Sequence, residues 1–536
     1  MRRFAAILAS ALVVMMLATT GIVAQERLAR NQRLSYNVGT EPATLDPALS
    51  TGVPEAIVEL SCFEGLTRMD ANNIPQPAIA ESWTISDDGL VYTFKLRQAK
   101  WNNGEPVTAH DFEWSWKRAL DPETAAEYAY QLYYIKNGEA YNTGAITDPD
   151  LVGVKALDDY TLQVTLEQPT TYFLQLCAFP TLMPVYRKVV EADPEAWFYN
   201  VNNYIGNGPF KIVRWEHNSK IDLVPNEHYW NRDAIKLTNL TFYLIEDTQT
   251  ALSMFDTGEL DMFDSPPATE IEGLKQRGVL LINDYLGTYY YMFNVTAEPL
   301  DDVRVRKALT MAIDRQELID RVVRGGQLPA YAYVPFGMPG GTVGSDFREE
   351  GGDLYKEDLE EAKKLLAEAG YPDGKGFPTL AILYNTSENH KKIAEAIQEM
   401  WKKNLGIDVR LTNQEWQVYL DSRDALDYQV ARAGWIGDYV DPMTFLDMWM
   451  TDSGNNDSGW GNPRFDELIV AARSNMDPAA RAKQLHEAEK ILIADEMVVM
   501  PIYFYTNLNV VQPWVRGVEF SPLGFINFVN AYVLER

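Results

Sequence analysis

Histidine and cysteine are scarce in this chain, and their scarcity narrows the chemistry that it can support. The 536 residues include 5 histidines and 2 cysteines. No histidine forms an HExxH motif, no cysteine–histidine group has zinc spacing, and neither cysteine lies in a local signature of a nucleophile. The GxSxG elbow and the GxGxxG fingerprint are also missing. We therefore expect a protein that is not an enzyme and that holds no cofactor or metal.

Positive charge is also in short supply. The chain has 47 lysines and arginines against 76 aspartates and glutamates, a formal net charge of −29. Such a surface disfavours nucleic acid and anionic membranes as partners. After the first residues, no apolar run approaches the 18 or more that a spanning helix needs. We expect neither nucleic-acid binding nor a direct membrane anchor.

Residues 1–24 have the pattern of a signal peptide. Arg2 and Arg3 precede the apolar run 4–17, and small residues lead to a cleavage point near Ala24. The mature protein is therefore expected to be exported and soluble. Export would permit a disulfide between Cys62 and Cys177, although two cysteines so far apart are equally compatible with buried thiols.

The clearest secondary structure is predicted between residues 300 and 435. Helices are expected from Asp314 to a stop at Gly325, from Asp358 to Gly370, and from about residue 388 to Gly406. Strands are expected at 380–385, 407–411 and 427–430. Strands that alternate with helices indicate an α/β domain with largely parallel pairing.

The remaining segments, 34–110 and 152–300, are less regular. Short alternating stretches at 90–97, 160–168 and 208–215 predict strands, and frequent turn residues separate them. An α+β portion with more antiparallel sheet is therefore expected. The glycine-rich segment 337–346 lacks the Lys-Ser/Thr of a phosphate-binding loop and is interpreted as a surface loop.

The stretch ARAGWIGDYVDP (431–442) combines a cation, a flat apolar face and an anion. Arg432, Trp435 and Asp438 recur at three-residue intervals on what we expect to be a loop at a strand's carboxyl end, where α/β sheets place ligands. A guanidinium suits a carboxylate and an aspartate suits an amine. The spacing can match the ends of an extended tripeptide, about 10 Å apart. A solvated ion pair beside a core tryptophan remains the alternative.

Several segments carry a family resemblance. ESWTISDDGLVYTFKLRQAKWNNGEPVTAHDFEWSW (81–116), TLDP (44–47), FEGL (63–66), TGELDM (257–262), DVRVRKAL (302–309), LAEAGYP (366–372), NQEW (413–416) and ARAGW (431–435) occur in a shared order over some 400 residues. In this order they resemble the family 5 solute-binding proteins, and among them the oligopeptide-binding receptors of peptide ABC importers.

The resemblance implies a two-lobed α/β fold like that of periplasmic binding proteins (type II, cluster C), with an extra small domain and a peptide cleft between the lobes. It implies that Asp438 pairs with a peptide α-ammonium and that Arg432 and His390 serve its carboxylate. The other residues it brings to the peptide, from one lobe or the other, are Trp435, Gly434, Trp416, Arg423, Asn385, Tyr128, Thr51, Gly52 and Val53.

Three features, which involve four positions, depart from the close oligopeptide receptors. Val323 stands where those receptors have a lysine that helps to receive carboxylates, although Arg324 is adjacent. Gly287 and Ile436 stand where they have a disulfide, and Thr51 replaces a glutamate. These differences affect the expected peptide length and affinity rather than the expected class of ligand.

The expected organisation is three domains. Domain I would comprise 25–63, 188–286 and 506–536, domain II 64–187 and domain III 287–505, with two or three strands crossing between the lobes as a hinge. The expected protein is a monomeric periplasmic receptor that closes on peptides of about two to five residues and delivers them to the membrane permease subunits of an ABC importer. A receptor for another solute (a cell-wall peptide, a dipeptide, or a metal or haem complex) and a secreted hydrolase remain alternatives.

Overall fold

The computed structural model describes residues 27–536, so the predicted signal peptide lies outside the described residues. The strands are β1 Arg33–Asn37, β2 Thr67–Met69, β3 Pro75–Pro77, β4 Ala80–Ile85, β5 Val91–Leu96, β6 Val154–Asp158, β7 Thr161–Thr165, β8 Phe210–Glu216, β9 Lys220–Pro225, β10 Asn239–Tyr243, β11 Met262–Asp264, β12 Leu280–Phe293, β13 Leu328–Pro329, β14 Leu380–Asn385, β15 Val409–Gln414, β16 Val430–Ile436, β17 Val499–Val511, β18 Val515–Arg516, β19 Glu519–Phe520, β20 Ile526–Asn527 and β21 Tyr532–Val533.

The α-helices are α1 Val53–Cys62, α2 Ala109–Ala119, α3 Gly138–Asn142, α4 Phe173–Leu176, α5 Arg187–Ala192, α6 Thr248–Thr257, α7 Ile271–Arg277, α8 Val303–Met311, α9 Arg315–Leu318, α10 Phe347–Gly351, α11 Leu359–Glu368, α12 Glu388–Leu405, α13 Trp416–Asp424, α14 Met443–Leu446, α15 Pro463–Ser474 and α16 Pro478–Lys490. Within residues 27–536, no helix is both long and apolar enough to cross a membrane.

The main sheet has eleven strands and two halves. Its order is β15-β14-β16-β12-β17-β11-β1-β10-β9-β8, and β13 pairs with β17. One half holds the parallel strands β15, β14 and β16, with α12 and α13 as the connections predicted from the helix–strand alternation. The other half is mixed, with β1 parallel to β10 and β11 and with antiparallel β10, β9 and β8.

Two long antiparallel strands join the halves. β12 pairs with β16 at its carboxyl end, while the last residues of β17 pair with β11. The ladder between β12 and β17 is interrupted between the pairs Asp284/Thr506 and Thr288/Phe504. This interruption lies where the sheet passes from one half to the other, which is a suitable place for bending.

A separate four-stranded antiparallel sheet, β4-β5-β7-β6, forms the core of the segment between residues 64 and 187. This confirms the antiparallel strands predicted at 90–97 and 160–168. Helix α2 packs on this sheet, and the indole of Trp116, which is fully buried, donates its Nε1 hydrogen to the Leu182 carbonyl at 2.7 Å. The division into three domains stays a prediction.

Two local predictions were wrong. The helix that begins at Asp314 does not end at Gly325, because a π-helical turn (319–323) inserts an extra residue and Arg324 adopts the left-handed conformation, at φ 60°. The strand expected at 427–430 begins only at Val430 and runs through Ile436. Arg432 and Trp435 are therefore on a strand and not on a loop.

Cys62 and Cys177 are free and buried, so the thiol alternative holds in this structure. Burial raises the pKa of both thiols. A thiol kept protonated in an apolar core is a poor nucleophile.

Candidate functional site: a cleft between the sheet halves

A cavity with a volume of about 420 Å³ lies between the two halves of the molecule. That volume is within the range of small-molecule sites. All twelve residues that the sequence indicated line it: Thr51, Gly52, Val53, Tyr128, Asn385, His390, Trp416, Arg423, Arg432, Gly434, Trp435 and Asp438.

Arg432 is a cation held by neutral groups. Its guanidinium donates to the Tyr505 hydroxyl at 2.8 Å and to Asn385 Oδ1 at 3.2 Å, and it lies 4.6 Å from the ring centroid of Tyr289. Its Nε is buried without an acceptor. Within residues 27–536 no carboxylate forms an ion pair with it, so a ligand anion would supply the missing charge.

His390 lies beside this guanidinium, in the first turn of α12. Its Nδ1 is 3.3 Å from the Tyr289 hydroxyl. Burial, together with the charge of Arg432, holds the pKa of His390 well below its usual range. The imidazole is therefore neutral, and it would serve a ligand carboxylate as a hydrogen-bond donor and not as a second cation.

Asp438 is an anion with the complementary deficiency. It follows β16, is 6% exposed, and accepts hydrogen bonds from Gln131 Nε2 at 2.7 Å, Thr444 Oγ1 at 3.2 Å and the Tyr128 hydroxyl at 3.3 Å. No described cation pairs with it. Burial, reinforced by the charge of Asp447, raises the pKa of Asp438 well above its usual range. A ligand ammonium would complete this site.

Trp435 and Gly434 set the shape between the two charges. Because side chains alternate along β16, Arg432 and Gly434 share one face while Trp435 lies on the other. Trp435 packs on Tyr128 with ring centroids 6.0 Å apart, and its indole Nε1 has no acceptor. A Cβ on Gly434 would lie 2.5 Å from the Tyr505 hydroxyl, so glycine lets Tyr505 reach Arg432.

Trp416 reaches across the cleft from α13. Its Nε1 donates to Glu55 Oε1 of α1 at 3.1 Å, and its ring would lie 2.9 Å from a Cβ on Gly52. Thr51 and Val53 flank this contact and also line the cavity. Trp416 therefore contacts α1 directly across the cleft.

Arg423 is already paired in this structure. It forms an ion pair with Asp457, and its guanidinium lies 5.5 Å from the ring centroid of Tyr419. Glu127 and Asp424 also line this part of the cavity. Burial, together with neighbouring carboxylates, raises the pKa of Glu127 to about 8 and that of Asp424 to about 6.

The departures noted in the sequence have clear positions. Val323 lines the cavity, whereas Arg324 turns back and donates from its Nε to the Arg321 carbonyl at 3.2 Å. Arg324 therefore does not replace a cation at position 323. Gly287 and Ile436 lie directly opposite each other on β12 and β16. This pairing is compatible with the disulfide that the close oligopeptide receptors have at these positions.

Three contributors were missed in the sequence: Gln131, Glu55 and Lys392. Gln131 supports Asp438 from a 3-10 turn, and Glu55 bonds to Trp416. Lys392 of α12 also lines the cavity and forms no ion pair with any described residue. Glu55 and Gln131 carry no local sequence signal, since their partners are more than 300 positions away.

The cleft thus holds a half-buried cation, Arg432, and a buried acidic group, Asp438, and no described residue forms an ion pair with either. A ligand with a carboxylate at one end, an ammonium at the other and an apolar body between them fits this arrangement. The geometry contains no nucleophile–base pair, and within residues 27–536 no group of three or more histidine, cysteine, aspartate or glutamate residues could hold a metal ion.

Known proteins match most of this chain. The model of the family "Bacterial extracellular solute-binding proteins, family 5 Middle" matches residues 75–457. The oligopeptide-binding protein OppA of Bacillus subtilis is 44% identical over 508 residues, which cover 93% of this chain and 92% of that protein.

Solved structures are also similar to this chain. The structure resembles Haemophilus influenzae OppA in complex with the peptide RPPGFSPFR with a TM-score of 0.88, at 38% identity, over 95% of this chain and 100% of the other. It resembles the unliganded open form of the murein tripeptide-binding protein MppA with a TM-score of 0.62, at 36% identity, over 95% of this chain and 99% of the other. Of these two, the present structure is therefore more similar to the peptide complex than to the open form.

The matched family model spans well over half of the chain, and the relatives cover nearly all of it. This chain belongs to the family 5 bacterial extracellular solute-binding proteins.

Proposed function

We propose that this protein is an extracytoplasmic receptor that binds short peptides in extended form and closes around them. It then delivers them to the permease subunits of an ABC importer. The observation that carries the proposal is the pair of opposite, uncompensated charges in one cavity, Asp438 and Arg432. A free peptide is a zwitterion, and it supplies the missing partner at both ends.

The positions of Asp438 and Arg432 support one direction of the peptide in the cleft. The α-ammonium lies on Asp438, supported by Gln131 and Tyr128, which hold the carboxylate in place with neutral donors. The peptide carboxylate lies on Arg432, with the neutral imidazole of His390 beside it. Charge-assisted hydrogen bonds of this kind offset the cost of desolvating both termini.

Side chains of the peptide occupy the remaining space. The aromatic surfaces of Trp435 and Tyr128 offer apolar contact, while Arg423, Glu127 and Asp457 make the neighbouring pocket polar. Recognition through the termini leaves the sequence of the peptide largely free. The receptor therefore accepts many sequences of about two to five residues.

The site of action follows from the family and from the predicted signal peptide. Its relatives include a peptide-bound OppA of Haemophilus influenzae, and the Bacillus subtilis relative is named as an oligopeptide-binding protein. We place the mature protein in the periplasm as a soluble monomer that exchanges peptide with the importer. Closure and opening of the cleft, and no covalent step, constitute its cycle.

Mass spectrometry of the ligand that co-purifies with the protein tests this proposal. The protein is purified in its native state and its ligand is then released by mild denaturation. Tandem mass spectrometry identifies the released molecules. We expect a mixture of peptides of about two to five residues with free termini. A single species or a non-peptide would contradict the proposal.

A second preparation separates receptor from hydrolase. A tripeptide incubated with the protein and then released should be recovered intact, whereas a hydrolase would return its amino acids. The Asp438→Asn variant serves as the matched control, because it should co-purify with little peptide while it keeps the same fold.

A further inference from the structure

Glu55 does not line the cleft, but it accepts a hydrogen bond from Trp416, which does. Glu55 lies in the first turn of α1 and is 1% exposed. Its Oε1 accepts from the Ala43 amide at 2.6 Å and, across the cleft, from Trp416 Nε1 at 3.1 Å. The contact joins the two sides of the cleft, and the arrangement in which it forms is called the closed structure here.

The second oxygen of this carboxyl has no partner. Oε2 is buried without a donor, and it would lie 2.1 Å from a Cβ on Gly52. Within residues 27–536 no cation pairs with Glu55. An ionised carboxylate in such a place costs several kcal/mol, whereas the neutral acid avoids most of that cost.

The groups around Glu55 do not compensate a negative charge. Glu59 lies one turn further along α1 and is also buried, with Oε2 accepting from Ser50 at 2.8 Å and Oε1 without a donor. Asp46 is nearby, but both of its oxygens are bonded to Arg118, at 3.0 and 2.6 Å, so that cation is already used. Cys62, further along the helix, is a buried thiol whose pKa burial raises.

The elements packed against α1 add no free cation. Strand β8 carries Lys211 and Arg214, which pair with Glu227 and Glu216. Strand β20 and residues 180–182 have no titratable side chain. On the opposite lobe, the side chain of Glu415 accepts from amides of its own helix, α13.

We propose that Glu55 is a positioning residue that holds Trp416 over the cleft as the neutral acid, so that closure on a peptide takes up a proton. The inference rests on the proposed function, since the ligand whose retention it controls is the peptide. Glu55 itself touches no ligand.

The direction of the pH dependence follows from burial. Burial raises the pKa of Glu55 to about 7 in the closed structure, although the Ala43 amide and the Trp416 indole lower it. When the lobes open, Trp416 leaves, water reaches the carboxyl and its pKa returns toward the ordinary range. The stabilisation of the closed state is therefore complete at low pH and is lost as the pH rises through about 7.

The Glu55→Gln variant tests this directly. The dissociation constant and release rate of trialanine are measured by calorimetry and stopped-flow fluorescence at pH 5.5 and pH 8. Glutamine keeps the acceptor for Trp416 but does not titrate. Between the two pH values, the wild-type dissociation constant should rise about 30-fold more than that of Glu55→Gln, since pH 5.5 lies about 1.5 units below the raised pKa and each unit corresponds to a tenfold change. At pH 8 the variant should bind more tightly than the wild type.

Two further variants keep the test decisive. Glu64→Gln is the matched control, because Glu64 is also buried and accepts from an indole, that of Trp230, but outside the cleft. It should retain the wild-type pH dependence. Trp416→Ala exposes Glu55 to water. This variant should bind trialanine weakly, and the pH dependence of its dissociation constant should be lost as in Glu55→Gln. It replaces Glu55→Gln as the test if that variant does not fold.

Equal pH dependence in the wild type and Glu55→Gln, or weaker binding by Glu55→Gln at pH 8, would overturn the inference. Failure of the wild type to bind trialanine at either pH would instead overturn the proposed function, and the inference with it. The two failures are thus distinguishable in one experiment.

Discussion

Asp438 is buried and Arg432 is half-buried among neutral donors, acceptors and rings, and no residue in the described part of the chain pairs an opposite charge with either. Natural binding sites often carry this kind of instability, because the groups that are poorly satisfied in the free protein are those that a ligand satisfies. The uncompensated charges therefore destabilise the unliganded protein and also provide its affinity for the ligand.

Because the uncompensated carboxylate destabilises the unliganded protein, we predict that Asp438→Asn stabilises it. Because burial raises the pKa of Asp438, the wild type loses stability as the pH rises above the ordinary range of an aspartate, while asparagine does not titrate. At pH 8 the free energy of unfolding of the variant should exceed that of the wild type by about 1 kcal/mol or more. Thermal unfolding of peptide-free protein at pH 5 and pH 8 measures the difference, which should shrink at pH 5.

A lower stability of Asp438→Asn at pH 8 would show that the carboxylate is compensated in the free protein. Gln131→Leu provides a matched comparison, since it removes a donor to the carboxylate and should destabilise the protein most at pH 8.

At the residue scale, the residue types and spacing of Arg432, Trp435 and Asp438 predicted a ligand site, and the family resemblance added His390. The structure brings these four residues to one cavity, while their roles toward a ligand stay predictions. Gln131 and Glu55 were not predicted, because their roles depend on contacts between lobes that no local pattern records.

At the scale of secondary structure, β16 shows why a strand was mistaken for a loop. Its residues alternate between faces, but both faces are partly buried and both contain small residues, so no regular apolar–polar pattern results. The helices α11 and α12 were predicted well, because each has an N-cap with a side-chain acceptor, Asp358 and Ser387, and a glycine at its end. The π-helical turn before Arg324 has no comparable signal.

The same strand yields a prediction about Gly434. Its replacement by alanine places a Cβ 2.5 Å from the Tyr505 hydroxyl and displaces Tyr505 from Arg432. We expect Gly434→Ala to weaken tripeptide binding about tenfold or more, with a smaller loss of stability than of affinity. Calorimetric titration and thermal unfolding measure the two effects.

Gly273→Ala is the control for Gly434→Ala. It lies in α7 with open space around its Cβ, so it should leave binding unchanged and slightly stabilise the protein. Unchanged binding by Gly434→Ala would mean that Tyr505 does not position the guanidinium.

At the scale of the whole molecule, the sheet is one continuous structure that is closed over the cleft by contacts from opposite lobes. β12 and β17 cross between the halves and break their ladder near Tyr285, which provides a place for bending. The sequence predicted two lobes with strands crossing between them, but the ladder break and the closing contacts required the structure.

Small-angle X-ray scattering tests this description of closure. We expect the radius of gyration of peptide-free wild type to decrease when a tripeptide is added, because the ligand selects the closed form. Asp438→Asn at the same peptide concentration should stay at the larger value. A radius of gyration that does not respond to saturating peptide would contradict closure around the ligand.

The central claim is that one cavity recognises both charged termini of a peptide, and calorimetric titration with blocked peptides tests it most directly. Trialanine, its N-acetyl form and its C-amide are titrated into wild type, Asp438→Asn and Arg432→Gln. Each block should weaken wild-type binding about 30-fold or more, as the loss of one partner of a buried charge pair does. Acetylation should cost little in Asp438→Asn, and amidation little in Arg432→Gln. If each block costs the same in the variants as in the wild type, the assignment of the two termini is wrong.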